Sequence, residues 1–201
     1  MKNNKFMDAV RHRRSYYKLS PVSPVPDQQI IEMLEEAVKN VPSAFNSQSA
    51  RIVLLLGKHH KKMWEITLAA LKKVTPEKSF GRTEAKVEGS FASGYGTVLF
   101  YEDTDVVEDM QKKFPIYAES FKAYSEHTSA MHQFVIWTAF EEMGFGASLQ
   151  HYNPLIDEEL AKTFSINPRW RLIAQMPFGT PEDVPGEKVI NPLDSRLLIF
   201  K

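Results

Sequence analysis

Two carboxamides and a guanidinium stand close together in Ser43-Ala44-Phe45-Asn46-Ser47-Gln48-Ser49-Ala50-Arg51, just after Pro42 and directly before the apolar run Ile52-Val53-Leu54-Leu55-Leu56. Asn46 and Gln48 each carry donors and an acceptor on one planar group. A planar heterocycle with alternating donors and acceptors is recognised by groups of that kind. A loop that enters a rigid strand is also a common place for ligand contacts. On composition alone the same residues serve equally as an ordinary turn.

Three further clusters could do chemistry. Arg11-His12-Arg13-Arg14-Ser15 offers guanidinium forks and a hydroxyl suited to a phosphate. Its plainer role is a solvated basic helix end, favoured by the helix dipole. Gly144-Phe145-Gly146, followed by Ala147-Ser148-Leu149-Gln150-His151-Tyr152, would let backbone approach a flat ring closely, or would simply cap a helix. Its spacing is not the dinucleotide fingerprint, because it follows a helix and does not open one after a strand. Arg196, in Asp194-Ser195-Arg196, could close a phosphate site from far along the chain, with Lys188 assisting, or be a surface charge. No spacing of histidines or carboxylates matches a metalloprotease or zinc-finger pattern, so no metal is expected.

The elements that must position these groups follow from pattern. At 201 residues the chain fits a single domain, residues 1–201, with a core large enough to need no staples. Lys plus Arg equals Asp plus Glu at 25 each, so no global field favours nucleic acid or an anionic membrane. The chain has no cysteine, which removes thiol catalysis and disulfides. No uncharged run approaches membrane-spanning length and no apolar signal core opens the chain, so a cytoplasmic location is expected.

A first helix is predicted from about Asn3 to Arg13. Pro21, Pro24 and Pro26 stiffen a loop from Leu19 to Asp27. Asp27 caps a second helix to Asn40, with Ile30, Ile31, Leu34 and Val38 as its apolar stripe. A strand over Ile52–Leu56 and a helix over His60–Lys73 follow, and Ser79–Glu88 is ambiguous. Thr97–Tyr101 reads as a buried strand, with Glu102-Asp103-Thr104-Asp105 capping the next helix. Pro115 opens a helical segment bearing Tyr117, Phe121 and Tyr124. Ser129–Met143 is a separate apolar helix without Lys or Arg, fit for an interface, and Gly144 ends it. A short helix over Asp157–Phe164 and strands over Arg171–Met176 and Leu197–Phe200 complete the set. Helices outnumber strands in irregular order, which indicates an α+β fold.

Taken together, Arg13-Arg14-Ser15, Pro42-Ser43 through Asn46 and Gln48, Gly144-Phe145-Gly146, and Pro177-Phe178-Gly179 with the later Arg196 resemble the nitroreductase family of flavoproteins. Ser43-Ala44-Phe45-Asn46-Ser47-Gln48, Gly96-Thr97-Val98-Leu99-Phe100 and Gln150-His151-Tyr152-Asn153-Pro154 resemble the branch named for the yeast fatty-acid-repression-mutant proteins, which includes bacterial nitroreductases. The resemblance implies a central mixed, mostly antiparallel sheet surrounded by helices, in a homodimer with exchanged C-terminal segments. It implies FMN bound without covalent attachment, reduced by NADH or NADPH in a ping-pong cycle that ends on a nitroaromatic, a quinone or a related acceptor.

By the same resemblance Arg13, Arg14 and Ser15 match the phosphate and ribityl motif, and the phosphate contact falls to one or more of Arg11, Arg13 and Arg14. Ser43, Asn46 and Gln48 lie near ring and ribityl. Gly144, Phe145 and Gly146 lie near the reactive edge, and Arg196 adds a phosphate contact. The chain departs from the pattern at Ser49, Ala50 and Arg51, where a proline and an aromatic are usual. It also departs at the lysine near the flavin pyrimidine, for which Lys86 and Arg82 are candidates. Hydride chemistry belongs to the cofactor, so no side-chain nucleophile or essential acid is expected. Phe45, Tyr117, Phe121 and Tyr124 are candidates for an aromatic acceptor pocket, or else ordinary core. The competing readings are a flavin-binding regulatory or stress-response protein with little turnover, and a helical interaction module without flavin.

Overall fold

The computed structural model describes residues 5–201, so the start of the first helix expected at Asn3 lies outside the described residues. In chain order the regular elements are α1 (Lys5–His12), β1 (Leu19–Ser20), α2 (Asp27–Asn40), β2 (Ala50–Leu56), α3 (Gly57–Val74), α4 (Glu77–Val87), β3 (Gly96–Asp103), α5 (Thr104–Lys113), α6 (Ala118–Glu142), β4 (Gly146–Ala147), α7 (Asp157–Phe164) and β5 (Trp170–Pro181). The strands form one sheet in the order β1-β5-β3-β2, with β4 also pairing β5. Every ladder is antiparallel, and Ser15 adds an isolated parallel bridge to Ala147.

β3 is the centre of the sheet and all eight of its residues are buried. Its continuous apolar run is what a strand covered on both faces requires. Side chains alternate between the faces. Val98 and Phe100 join Ile30 and Leu34 of α2, Ile136 and Phe140 of α6, and Ala174, Met176 and Phe178 of β5. Leu99 and Tyr101 join Met63 and Trp64 of α3, Val87 and Phe91, and Leu160 of α7. The sheet thus sits between two helical layers. Phe140 stacks on Phe178 at 4.3 Å, and Phe145 meets both rings edge-on.

Several expectations change. Pro115–Tyr117 forms a 3-10 turn, and from Ala118 to Glu142 the helical segment it opens and the apolar helix expected from Ser129 are one continuous helix of 25 residues, α6. Its polar residues do not break it, because Ser125, Thr128 and Thr138 return their hydroxyls to the carbonyls of Lys122, Tyr124 and Phe134. The ambiguous Ser79–Glu88 segment lies in α4 and the π turn Glu88–Ala92 that follows it. Pro26, not Asp27, occupies the N-cap position of α2, without a side-chain capping bond; Asp27 is the first helical residue and accepts the Tyr95 hydroxyl. The start of the proline loop, Leu19–Ser20, pairs with Pro181 and Thr180 as β1.

Leu197–Phe200 is not a strand. The chain after Pro181 has no helix or strand, and Leu197, Leu198, Ile199 and Phe200 are all exposed. A short apolar run becomes a strand only where a partner edge meets it, and within this chain none does. No described helix is long and apolar enough to cross a membrane.

Candidate functional site

The loop between α2 and β2 is held in an uncommon conformation. Phe45, Asn46 and Gln48 have φ of 55°, 52° and 50°. Left-handed backbone is disfavoured for residues with a side chain, and asparagine tolerates it best. The loop is braced from both sides. The Gln48 N–H donates to Ser43 Oγ at 2.9 Å, and Arg51 donates to the Gln48 carbonyl at 2.8 Å. Arg51 is itself fixed by Asp103 at 2.9 Å. These bonds hold backbone only. The Asn46 and Gln48 side chains are exposed, and neither carboxamide has a hydrogen-bond partner among the described residues. Backbone held in this region clusters at ligand-contacting and catalytic segments.

Phe45 stands beside these amides, half exposed. It packs against Phe114 at 4.7 Å, and against Tyr117 and Phe121 each at 5.5 Å. Tyr124 meets Phe121 edge-on at 5.7 Å. The four aromatics singled out from the sequence therefore form one cluster, with Phe121 as its buried member. Phe114 belongs to it and was missed; the signal was an aromatic directly before Pro115, where the chain turns from α5 into α6.

The basic cluster divides its work. Arg11 pairs with Asp8 at 2.6 Å across one turn of α1, which makes it a helix-end charge. Arg13 lies over the Trp137 ring, 4.4 Å from its centroid. Trp137 was also missed, although it is the one tryptophan in a helical stretch devoid of Lys and Arg. Its buried Nε1 has no hydrogen-bond partner among the described residues. Arg14 donates to the Gly186 carbonyl at 2.6 Å and, with Ser15, lines a 430 Å³ cavity closed by Tyr17, Asp183 and Val184. Burial pushes the Tyr16 hydroxyl and the Glu141 carboxyl upward, and His12 and Arg13 pull Glu141 back.

The glycine turn is tied to this cluster but faces inward. Gly144, at φ 84°, donates to Glu141, and Phe145 donates to Phe140 at 2.9 Å, which is the Schellman closure of α6. The Phe145 side chain is buried in the core, so its ring is not free for a cofactor and only the backbone of the turn remains available. The Tyr16 N–H donates to the Ala147 carbonyl at 3.0 Å. A Cβ at Gly146 would come within 2.8 Å of Tyr16, so glycine is needed for that approach.

Two residues are not brought to either group. Lys86 sits on α4 with its ammonium 5.8 Å from the Phe91 ring. Arg196 lies in the exposed tail, where its N–H donates to Leu193. The loop and the basic cluster also stand apart. Phe45 packs at Phe121 and Arg13 at Trp137, 16 residues later on α6, a separation of about 24 Å along the axis. The two groups thus stand toward opposite ends of the longest helix.

The sequence profile of the nitroreductase family matches residues 10–180. This protein belongs to the nitroreductase family. Two Saccharomyces cerevisiae proteins are similar over 91% of each chain: HBN1, 36% identical over 187 residues, and the nitroreductase FRM2, 33% identical over 185. The nitroreductase CinD from Lactococcus lactis, solved with chloramphenicol and with 4-nitrophenol, superposes with a TM-score of 0.89 at 38% identity, covering 98% of this chain and 100% of CinD. A nitroreductase with bound FMN from Desulfitobacterium hafniense shares the fold at a TM-score of 0.73 and 14% identity, covering 98% of this chain and 100% of that one. The protein is a nitroreductase-fold oxidoreductase, and its antiparallel sheet between helices is the architecture of that family.

Proposed function

We propose that the protein is an FMN-dependent NAD(P)H oxidoreductase that reduces nitroaromatics, quinones or related small aromatic acceptors. The observation that carries this reading is the strained Phe45–Gln48 loop, which presents two unpartnered carboxamides beside an aromatic cluster. The residues fit the cofactor by chemistry. Asn46 and Gln48 match the donors and acceptors of the ring edge. Arg13 and Arg14, with Ser15, match the phosphate. Among the described residues Arg14 is bonded only to a neutral carbonyl, which a phosphate would replace. Asp183 in the same cavity opposes an anion, so phosphate entry requires the segment around Gly186 to move aside.

The separation of the two groups supports a homodimer, in which the arginine end of one chain meets the amide loop of the other. The outer edge of β2 is unpaired and borders an apolar groove of 300 Å³ lined by Ile31, Leu34, Val38, Ile52 and Leu54. The exposed Leu197–Phe200 run suits that edge as a strand contributed by a second copy, carrying Arg196 toward the site.

Bound FMN would accept a hydride from NAD(P)H and pass reducing equivalents to the acceptor. The chain's own work is positional. The guanidinium groups anchor one end, the amides orient the ring, and Phe45, Phe114, Tyr117 and Tyr124 offer an apolar wall for a flat acceptor. CinD, with 4-nitrophenol and chloramphenicol bound, supports that acceptor class. Steady-state NADH and NADPH oxidation with a quinone and with 4-nitrophenol tests the reading. Turnover with saturation in both substrates is expected; stable FMN binding without turnover would leave a regulatory flavoprotein instead.

A further inference from the structure

Gln48 offers one of the two exposed carboxamides, and its backbone sits at a φ of 50°, in the left-handed region. For a residue with a side chain that region is disfavoured by about 5- to 30-fold against the right-handed one. A Gln48 peptide free to choose would leave this conformation, and the direction of its carboxamide would change with it. The bonds inside the loop do not prevent that. The Asn46 N–H donates to the Ser43 carbonyl, the Ser47 N–H to the Ala44 carbonyl, and the Gln48 N–H to Ser43 Oγ. All three tie the loop to itself.

Among the described residues, the polar tie from the Gln48 peptide to the sheet is Arg51. Its Nη1 donates to the Gln48 carbonyl at 2.8 Å and to the Ala50 carbonyl at 3.0 Å, while Nη2 donates to Asp103 Oδ2 at 2.9 Å. A planar fork suits this task, because its donors point in fixed directions. Asp103, the last residue of β3, is held in turn. Its N–H donates to the Ser49 carbonyl at 2.9 Å, Oδ1 accepts the Asp105 N–H at 3.1 Å, and Oδ2 also accepts Trp170 Nε1 at 3.2 Å. The guanidinium lies over the Trp170 ring, 5.7 Å from its centroid. The Asp103 side chain is 11% exposed and that of Arg51 28%, so salt screens the pair little.

We propose that Arg51, anchored on Asp103, is a positioning residue for the flavin: it holds the Gln48 peptide left-handed in the empty protein, so that the ring-edge amide is in place before FMN arrives. This rests on the proposed flavin function and adds to it a residue that acts only through the loop. Preorganisation of this kind works on the free protein. Where a fraction of the empty molecules is competent, association slows by that fraction and dissociation is unchanged. Loss of a contact made by the bound ligand does the reverse and falls mainly on dissociation.

The experiment is stopped-flow binding of FMN to the full-length protein, followed by flavin fluorescence, for wild type, Arg51→Met and Asp103→Asn. Arg51→Met should lower kon about 5- to 30-fold and leave koff within about twofold. Asp103→Asn keeps a capping acceptor for the Asp105 N–H but turns an amide NH2 toward Arg51. It should lower kon at least about twofold, and it carries the test if Arg51→Met fails to fold. An ion pair that only stabilises the strand end predicts variants that unfold at lower urea concentration yet bind at the wild-type kon. That result, or a loss confined to koff, overturns the inference and leaves the flavin function standing. A wild-type protein that takes up no FMN overturns both.

Discussion

Replacing Gln48 by glycine separates the cost of the loop from its use. Gln48 holds φ at 50°, and its side chain is exposed and makes no hydrogen bond. Left-handed backbone costs a residue with a Cβ about 1–2 kcal/mol, whereas glycine adopts it freely. Glycine in turn costs about 0.5–1 kcal/mol of unfolded-state entropy. The backbone bonds to Ser43 Oγ and from Arg51 do not involve the lost amide and remain. The apoprotein should therefore gain between about 0 and 1.5 kcal/mol. FMN loses one ring-edge partner worth about 0.5–1.5 kcal/mol, so its Kd should rise about 2- to 12-fold. Gln48→Ala keeps the strain and loses the same partner, so it should lose FMN affinity without gaining stability. Urea unfolding of the apoprotein and FMN titration by fluorescence quenching measure both quantities. A Gln48→Gly protein that is less stable by more than about 1 kcal/mol yet binds FMN normally would refute the reasoning.

Tyr124→Ala should raise the Michaelis constant for quinone and nitroaromatic acceptors while flavin content stays intact; unchanged acceptor kinetics would remove Tyr124 from the pocket. Phe178→Ala removes a fully buried ring stacked on Phe140, and should cost about 3–5 kcal/mol in urea unfolding. His60 is buried and held neutral: Nε2 donates to the Ala92 carbonyl, and Nδ1 accepts from the Thr97 hydroxyl, whose oxygen accepts from Trp64. Burial lowers its pKa, so the unfolded chain takes up a proton first and stability should fall as pH drops below about 6.5. His60→Gln should flatten that part of the profile; an unchanged slope between pH 7.5 and 5.5 would contradict it. Glu102 runs the other way. Its raised pKa gives a contribution fully present below 4.5 and lost as pH rises to about 7, and Glu102→Gln should remove that loss.

The parts of this fold most legible in the sequence are those set by local pattern. The buried run Thr97–Tyr101 could only be a strand covered on both faces, and β3 is that strand. Asp157–Phe164 forms the helix its spacing predicts. What local pattern does not carry is partnership. Leu19–Ser20 and Gly146–Ala147 are strands only because β5 lies beside them, Leu19 opposite Pro181 and Gly146 opposite Gly179. Leu197–Phe200 has a strand's composition and no partner edge among the described residues. At the site, residue types were readable and their fixation was not. Arg11, Arg13 and Arg14 look alike in sequence, yet Asp8, Trp137 and Gly186 give each a different fate. Phe145 reads as part of an open turn, but Phe140 and Phe178 draw its ring into the core.

The visible absorption spectrum of the purified protein, followed by anaerobic addition of NADH or NADPH, tests the central claim most directly. A flavin spectrum, present as isolated or after FMN is added, that bleaches on reduction is expected. A colourless protein that takes up no FMN would contradict it.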